Sequence, residues 1–97
     1  MESILLLIEE LDAISKNIVT IDVLLRNGNV VSAYRQAAQS LELLKEPEKR
    51  KTMGRALLRM RKGEQIDALN DLKSLYDLNK NEKKKILIKY LKNNEWH

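Results

Sequence analysis

A row of apolar residues at alternating steps of three and four runs through the first quarter of the chain. This spacing averages 3.5 residues per turn, so the row lies along one side of an α-helix. Such a row must be buried against another helix, either in the same molecule or in a second copy. The residues of this N-terminal seam are Ile4, Leu7, Leu11, Ile14, Ile18, Ile21 and Leu25.

The residues that start and end helices predict an all-α fold. It is a bundle of four to five helices in antiparallel hairpins, with a long N-terminal helix at 1–27. Ninety-seven residues are enough for a single domain, 1–97. Gly28 is expected to close helix one, and Pro47 fits the first turn of helix three. The predicted helices are 2–26, 29–45, 47–63, 64–78 and 82–94, with a break at Asn79-Lys80-Asn81.

The predicted core follows from helical spacing. In helix two the inner face is Val30, Tyr34, Ala37, Leu41 and Leu44, and in helix four it is Ala68, Leu69, Leu72, Leu75 and Tyr76. In helix three Met53, Ala56, Leu57 and Met60 lie opposite a basic row. Apolar residues at these steps form one face of a helix that packs against its neighbours.

The residue inventory argues against an enzyme and against cofactor or metal sites. The chain has no Cys and one His, His97, so it lacks the nucleophile–base pairs and soft metal ligands that catalysis commonly uses. Glu64, Asp67 and Asp71 share one helix face and could hold a hard divalent ion. Acidic residues in the first turns of a helix also complement its dipole, which is the interpretation we favour.

Localisation is predicted from what the sequence lacks. The absence of Cys fits a reducing cytoplasm, and no run approaches the ~18 apolar residues of a membrane span. The apolar run from Ile4 to Ile8 is flanked by Glu2 and Glu9, unlike the basic start of a signal peptide. We therefore expect a cytoplasmic protein with no membrane partner.

Charge is divided between the two halves of the chain. Residues 1–44 hold three basic and six acidic side chains, whereas residues 45–97 hold fifteen basic and eight acidic ones. The candidate nucleic-acid-binding residues are Lys51, Arg55, Arg59 and Lys62 in helix three and Lys85, Lys89 and Lys92 in helix five, with Trp96 able to stack on a base. The alternative is that both rows are ordinary solvated faces of amphipathic helices.

A weak internal repeat has an offset of 35 residues. Residues 26–33 match residues 61–68, each with Gly two positions after Arg and Ala five positions after Gly. Gly28, Ala33, Ala37 and Leu41, and likewise Gly63, Ala68, Leu72 and Tyr76, resemble the second helix of a tetratricopeptide-type hairpin. The resemblance implies a groove that binds a peptide or protein, without catalysis. Two similar helix starts would produce the same agreement.

Helix one carries more apolar surface than one seam uses. Leu5, Ile8, Val19 and Val23 form a second face, and Leu6 and Leu24 a third. Pairing with helix one of a second copy would cover the surplus, as would complete wrapping by the same chain. We favour a homodimer in which the N-terminal seam is the dimer seam.

These observations predict a non-enzymatic helical assembly or binding protein. Its basic half, 45–97, would contact an anionic partner, with DNA or RNA backbone the leading candidate and no base specificity. The alternative is a self-associating adaptor that binds proteins through its helical hairpins. The two differ in salt response, because phosphate contacts weaken steeply as salt is added.

Overall fold

The computed structural model describes residues 2–94, and within them every regular element is an α-helix. The all-α prediction is confirmed, with four helices packed together. Met1 and residues 95–97, which include Trp96 and His97, lie outside the described residues. The helices are α1 (Glu2–Arg26), α2 (Val30–Leu43), α3 (Pro47–Arg61) and α4 (Gln65–Asn94).

Two nearly identical turns explain the 35-residue repeat. Gly28 and Gly63 have φ values of 81° and 78°, the left-handed region that a side chain disfavours. The amide after each glycine donates to a carbonyl five residues back, at 2.9 Å in both turns. This is the bonding of a Schellman helix end, so the repeat corresponds to two equivalent turns between helices.

The link between α2 and α3 has no glycine and is closed by a side chain. Arg50 Nη1 donates to the carbonyls of Leu41 and Leu44, at 2.8 Å and 2.9 Å. Pro47 is the first residue of α3, as predicted, where its missing N–H leaves no bond unmade. Asn29 takes the N-cap position of α2, but its side chain makes no capping hydrogen bond.

The core is built from all four helices. α1 packs against α2 and α4, and α3 packs against the same two helices. Predicted inward residues Ala37, Ala68, Leu72 and Leu75 are buried, as is the apolar face of α3. Val30 was assigned to the core but is exposed, because Ala33 and Ser40 hold the inner face of α2 with Ala37.

The predicted break at Asn79-Lys80-Asn81 is wrong, because α4 is continuous and helices four and five are one helix. Asn79 is fully buried, and its side-chain amide donates to Leu11 O at 2.6 Å and Ser15 Oγ at 2.7 Å on α1. A buried Asn whose polar groups are satisfied by neighbouring helices has no reason to end its own helix.

Unequal helix lengths give the molecule a projection. Along α4, Gln65, Asn79 and Lys83 bond to Leu25, Leu11 and Asp12 of α1, so the two helices run in opposite directions. α4 is about 45 Å long and α3 about 22 Å. The ends of α1 and α4 therefore extend together beyond α2 and α3, in a molecule 53 Å long. We call residues 4–10 and 84–93 the terminal arm.

The glycine turns yield a stability prediction. Gly28→Ala should destabilise the fold by about 1 kcal/mol, because a Cβ disfavours positive φ although no atom lies within 4 Å of it. Gly54→Ala is the matched control: Gly54 lies inside α3 with equally open space and should gain about 0.5–1 kcal/mol. Urea unfolding midpoints measure both. Equal effects at the two positions would contradict the proposed role of the turn.

Candidate functional site

A polar cluster built around two buried residues, Lys49 and Asn79, lies where the terminal arm leaves the helical body. Lys49 of α3 is only 5% exposed, and its Nζ donates to Asn79 Oδ1 at 2.9 Å. The same ammonium pairs with Glu82 on α4 and lies 3.7 Å from Glu46 Oε1. Because Asn79 also bonds to α1, this cluster joins three helices at the base of the arm.

The two carboxyl groups of the cluster have opposite pKa shifts. A hydrogen bond to Glu82 and partial burial raise the pKa of Glu46, against the opposing charge of Lys49. Burial alone would raise the pKa of Glu82, but hydrogen bonds from Glu46 and Lys49 and nearby positive charge outweigh it and lower that pKa. The hydrogen bond between the two carboxyl groups thus raises the pKa of Glu46 and contributes to the lowered pKa of Glu82.

The basic residues predicted to bind nucleic acid lie in two separate groups. Arg55 Nε and Arg59 Nη1 each lie 3.1 Å from a carboxylate oxygen of Asp71, which is buried. The α3 row is thus partly neutralised at its centre, with Lys51 and Lys62 exposed at its two ends. On the terminal arm Lys85, Lys89 and Lys92 are exposed, and none forms an ion pair with another described residue.

A continuous α4 keeps the two basic groups apart. Asp67, whose carbonyl accepts from Arg59, and Lys89 are separated by 22 residues of one helix. That separation is about 33 Å at 1.5 Å per residue. The two rows therefore do not merge into a single patch.

The acidic residues considered for a metal ion are also separated by their contacts. Asp71 binds the two arginines, whereas Glu64 and Asp67 are exposed. Within residues 2–94, no group of three or more His, Cys, Asp or Glu side chains is placed to hold a metal ion.

Most of the N-terminal seam is buried within its own chain. Leu11, Ile18, Ile21 and Leu25 are at most 5% exposed and pack inside the four helices. Ile4 and Ile14 are half-buried, and Leu7 is 43% exposed. In this structure only the first part of the predicted dimer seam remains accessible to another molecule, and that part belongs to the terminal arm.

One core row of α1 and one of α4 continue onto the terminal arm, where α2 and α3 no longer cover them. On α1, Ile21, Ile14 and Leu7 follow one another at seven-residue intervals and pass from fully buried to 43% exposed. On α4, Leu72 and Asn79 are fully buried, and Ile86, seven residues further, is only half-buried. Seven residues are close to two turns, so each row keeps to one side of its helix.

Seven large apolar side chains are exposed on the terminal arm. The exposed large hydrophobic residues of the arm are Leu5, Leu6, Leu7, Leu87, Ile88, Tyr90 and Leu91. A cluster of exposed apolar residues of this kind on a small protein commonly marks an interaction surface. The sequence predicts surplus apolar surface on α1, and the predicted break at Asn79 places the apolar residues of the arm on α4 in a separate helix.

None of the helices within residues 2–94 is both long enough and apolar enough to cross a membrane. No protein-family model, curated protein or solved structure matches the chain. Function is therefore inferred from the geometry of the described residues.

The polar cluster predicts a pH-dependent loss of stability. Glu82→Gln should cost about 1.5–3 kcal/mol at neutral pH, because buried Lys49 loses its nearer carboxylate and keeps only Glu46, at 3.7 Å. Since folding lowers the pKa of Glu82, its contribution is present at neutral pH and is lost as the pH falls below the usual value of 4.5. Urea unfolding at about pH 7 and about pH 3 measures the difference.

Glu42→Gln is the control for this measurement, since Glu42 is an exposed carboxyl on α2. Its stability should equal that of the unmodified protein at both pH values. A Glu82→Gln deficit that is the same at both pH values would contradict an ionic role for Glu82.

Proposed function

We propose that this chain is a non-enzymatic helical interaction protein that binds other proteins through its terminal arm. The main support is that the core rows of α1 and α4 continue onto the arm, where α2 and α3 no longer cover them. The helical body would form one domain of two antiparallel hairpins that holds the arm in place.

The contacts between helices favour the arm over a groove between hairpins. The first and last helices pack side by side, whereas the backbones of α1 and α3 do not come close to one another within the described residues. A stack of hairpins of the kind that the repeat resembles binds ligands along an extended concave surface. Here the repeated element is a turn, and the apolar rows that run out of the core lie at the opposite end of the molecule.

A second candidate function is contact with nucleic-acid backbone. It is favoured by the exposed ammonium groups of Lys85, Lys89 and Lys92 at one end of α4, none of which forms an ion pair with another described residue. Lysines at helical pitch can contact successive phosphates without reading bases. Arg55 and Arg59 would contribute less, because Asp71 already neutralises part of their charge.

Site-specific photo-crosslinking tests binding of proteins through the arm. A benzophenone amino acid in place of Leu7 should crosslink to a protein in cells that express the chain natively. The same probe in place of Ile66, which is 75% exposed at the other end of the molecule, is the matched control. Mass spectrometry of the adducts reads the result. Equal crosslinking from both positions, or none from position 7, would contradict the proposal.

Fluorescence anisotropy tests the nucleic-acid candidate. Generic single- and double-stranded DNA and RNA should bind in the micromolar range at low salt and weaken steeply as salt is raised. Lys89→Glu with Lys92→Glu should weaken binding more than Arg55→Glu with Arg59→Glu, because Asp71 pairs with both arginines whereas the two lysines form no ion pair with another described residue. Absence of binding at low salt, or a larger loss with the arginine variant, would contradict this assignment.

A further inference from the structure

We propose that the terminal arm binds an acidic amphipathic α-helix of a partner protein. The inference rests on the proposed function and specifies the chemistry of the partner. It follows from a reversal of charge along α4, from the way α3 packs in the body, and from the apolar rows that reach the arm.

On the side of α4 that faces α3, the charged side chains change from acidic to basic at the level where α3 begins. Asp71 and Glu82 lie on this side, where they pair with Arg55, Arg59 and Lys49 of α3. Lys89 follows Asp71 by eighteen residues, which is about five full turns, and therefore lies in the same row. Beyond α3 the row is thus basic, with Lys85 beside Lys89.

The body shows how this side of α4 is covered by a helix. In the body α4 supplies carboxylates, and the covering helix α3 supplies the cations that pair with them. On the arm α4 supplies the cations instead. A helix that continued the packing of α3 over the arm would therefore carry carboxylates along this edge, since opposite charges across an interface favour one partner and one register.

The apolar rows define the other face of the partner. Leu7 and Ile86 continue the core rows of α1 and α4, so a covering helix would place apolar residues over them at steps of three and four. At the base of the arm Leu7, Leu43 and Leu44 line a cavity of about 100 Å³, together with Glu10 and the polar cluster. The end of the bound helix would lie against this cavity.

A second copy of the chain fits this side of the arm less well. Two copies could stack their arms through the side that faces α3, with their helical bodies at opposite ends. This arrangement places α4 of one copy on α4 of the other and brings Lys85 and Lys89 against Lys85 and Lys89 of the second copy. The reverse arrangement, with both bodies at one end, brings α2 and α3 of the two copies into collision. Charge and shape therefore favour a partner other than the chain itself.

Binding of designed peptides to the full chain tests the inference. The probe is a fluorescent Ala-based peptide about 18 residues long, with Leu at intervals of three and four and Glu along one flank. One control replaces every Glu by Lys, and a second scrambles the acidic sequence so that it has no apolar face. Anisotropy should show micromolar binding of the acidic amphipathic peptide and at least about tenfold weaker binding of both controls.

Variants of the chain locate the bound peptide. Lys85→Glu with Lys89→Glu should reverse the preference, so that the lysine peptide binds more tightly than the acidic one. Lys73→Glu with Lys80→Glu is the matched control, since it reverses two exposed charges of α4 within the body and should leave binding unchanged. An unchanged preference in the first variant would overturn the inference, as would equal binding of the scrambled peptide, which would show that charge alone is recognised.

The two proposals fail in different ways. If the probe at position 7 crosslinks only to a second copy of the chain, protein binding by the arm stands and the acidic-helix partner is overturned. If the acidic peptide does not bind but the probe crosslinks to another protein, again only the inference falls. Absence of any crosslink from position 7 removes the proposed function itself.

Discussion

The rest of this structure depends on the hydrogen bonds by which the side chain of Asn79 joins α4 to α1 and α3. Its amide nitrogen donates to α1 through Leu11 and Ser15, and its oxygen accepts from Lys49 of α3. A buried amide is costly to leave unpaired, so the partners fix the rotation of α4 and its register against two other helices. The continuous α4, and with it the whole terminal arm, depends on this register.

The arm follows from a mismatch between helix lengths. Two equivalent glycine turns join α1 to α2 and α3 to α4 at one end of the molecule. Because α2 and α3 are much shorter, the other end of the pair α1 and α4 is left without their cover. The apolar pattern of α1 and α4 continues beyond the ends of α2 and α3. The proposed function is based on the apolar residues that are left uncovered there.

Sequence patterning predicted most of the fold because its signals are local. The glycine at position 28 and the proline at position 47 each act within one or two turns, and the structure has them as expected. Leu11, Ile18, Ile21 and Leu25 of the α1 seam are buried, whereas Leu7 is 43% exposed. Asn79 was misjudged because its role depends on partners 30 to 68 residues away. Its place in the row Leu72, Asn79, Ile86 was a usable signal, since a polar residue on an apolar row often has buried partners.

The candidate site was harder to predict than the fold. Charge counting predicts a row of lysines on α4, but it could not show that Asp71 of α4 neutralises part of the charge of Arg55 and Arg59 on α3. It also treated both basic rows as one kind of surface. Pairing depends on which residues of α3 face α4, and only the three-dimensional packing sets that relation.

The uncovered end of α4 also gives the molecule a gradient of local stability. Between Gln65 and Lys83 the helix is tied to α1 and α3 by side-chain bonds, whereas further along it has cover on fewer sides. Backbone amides should therefore exchange with solvent more readily toward residue 93, in a region that opens without global unfolding. A partner that covers the arm would slow this exchange, and part of its binding free energy would be used to hold the last turns of α4 in helical form.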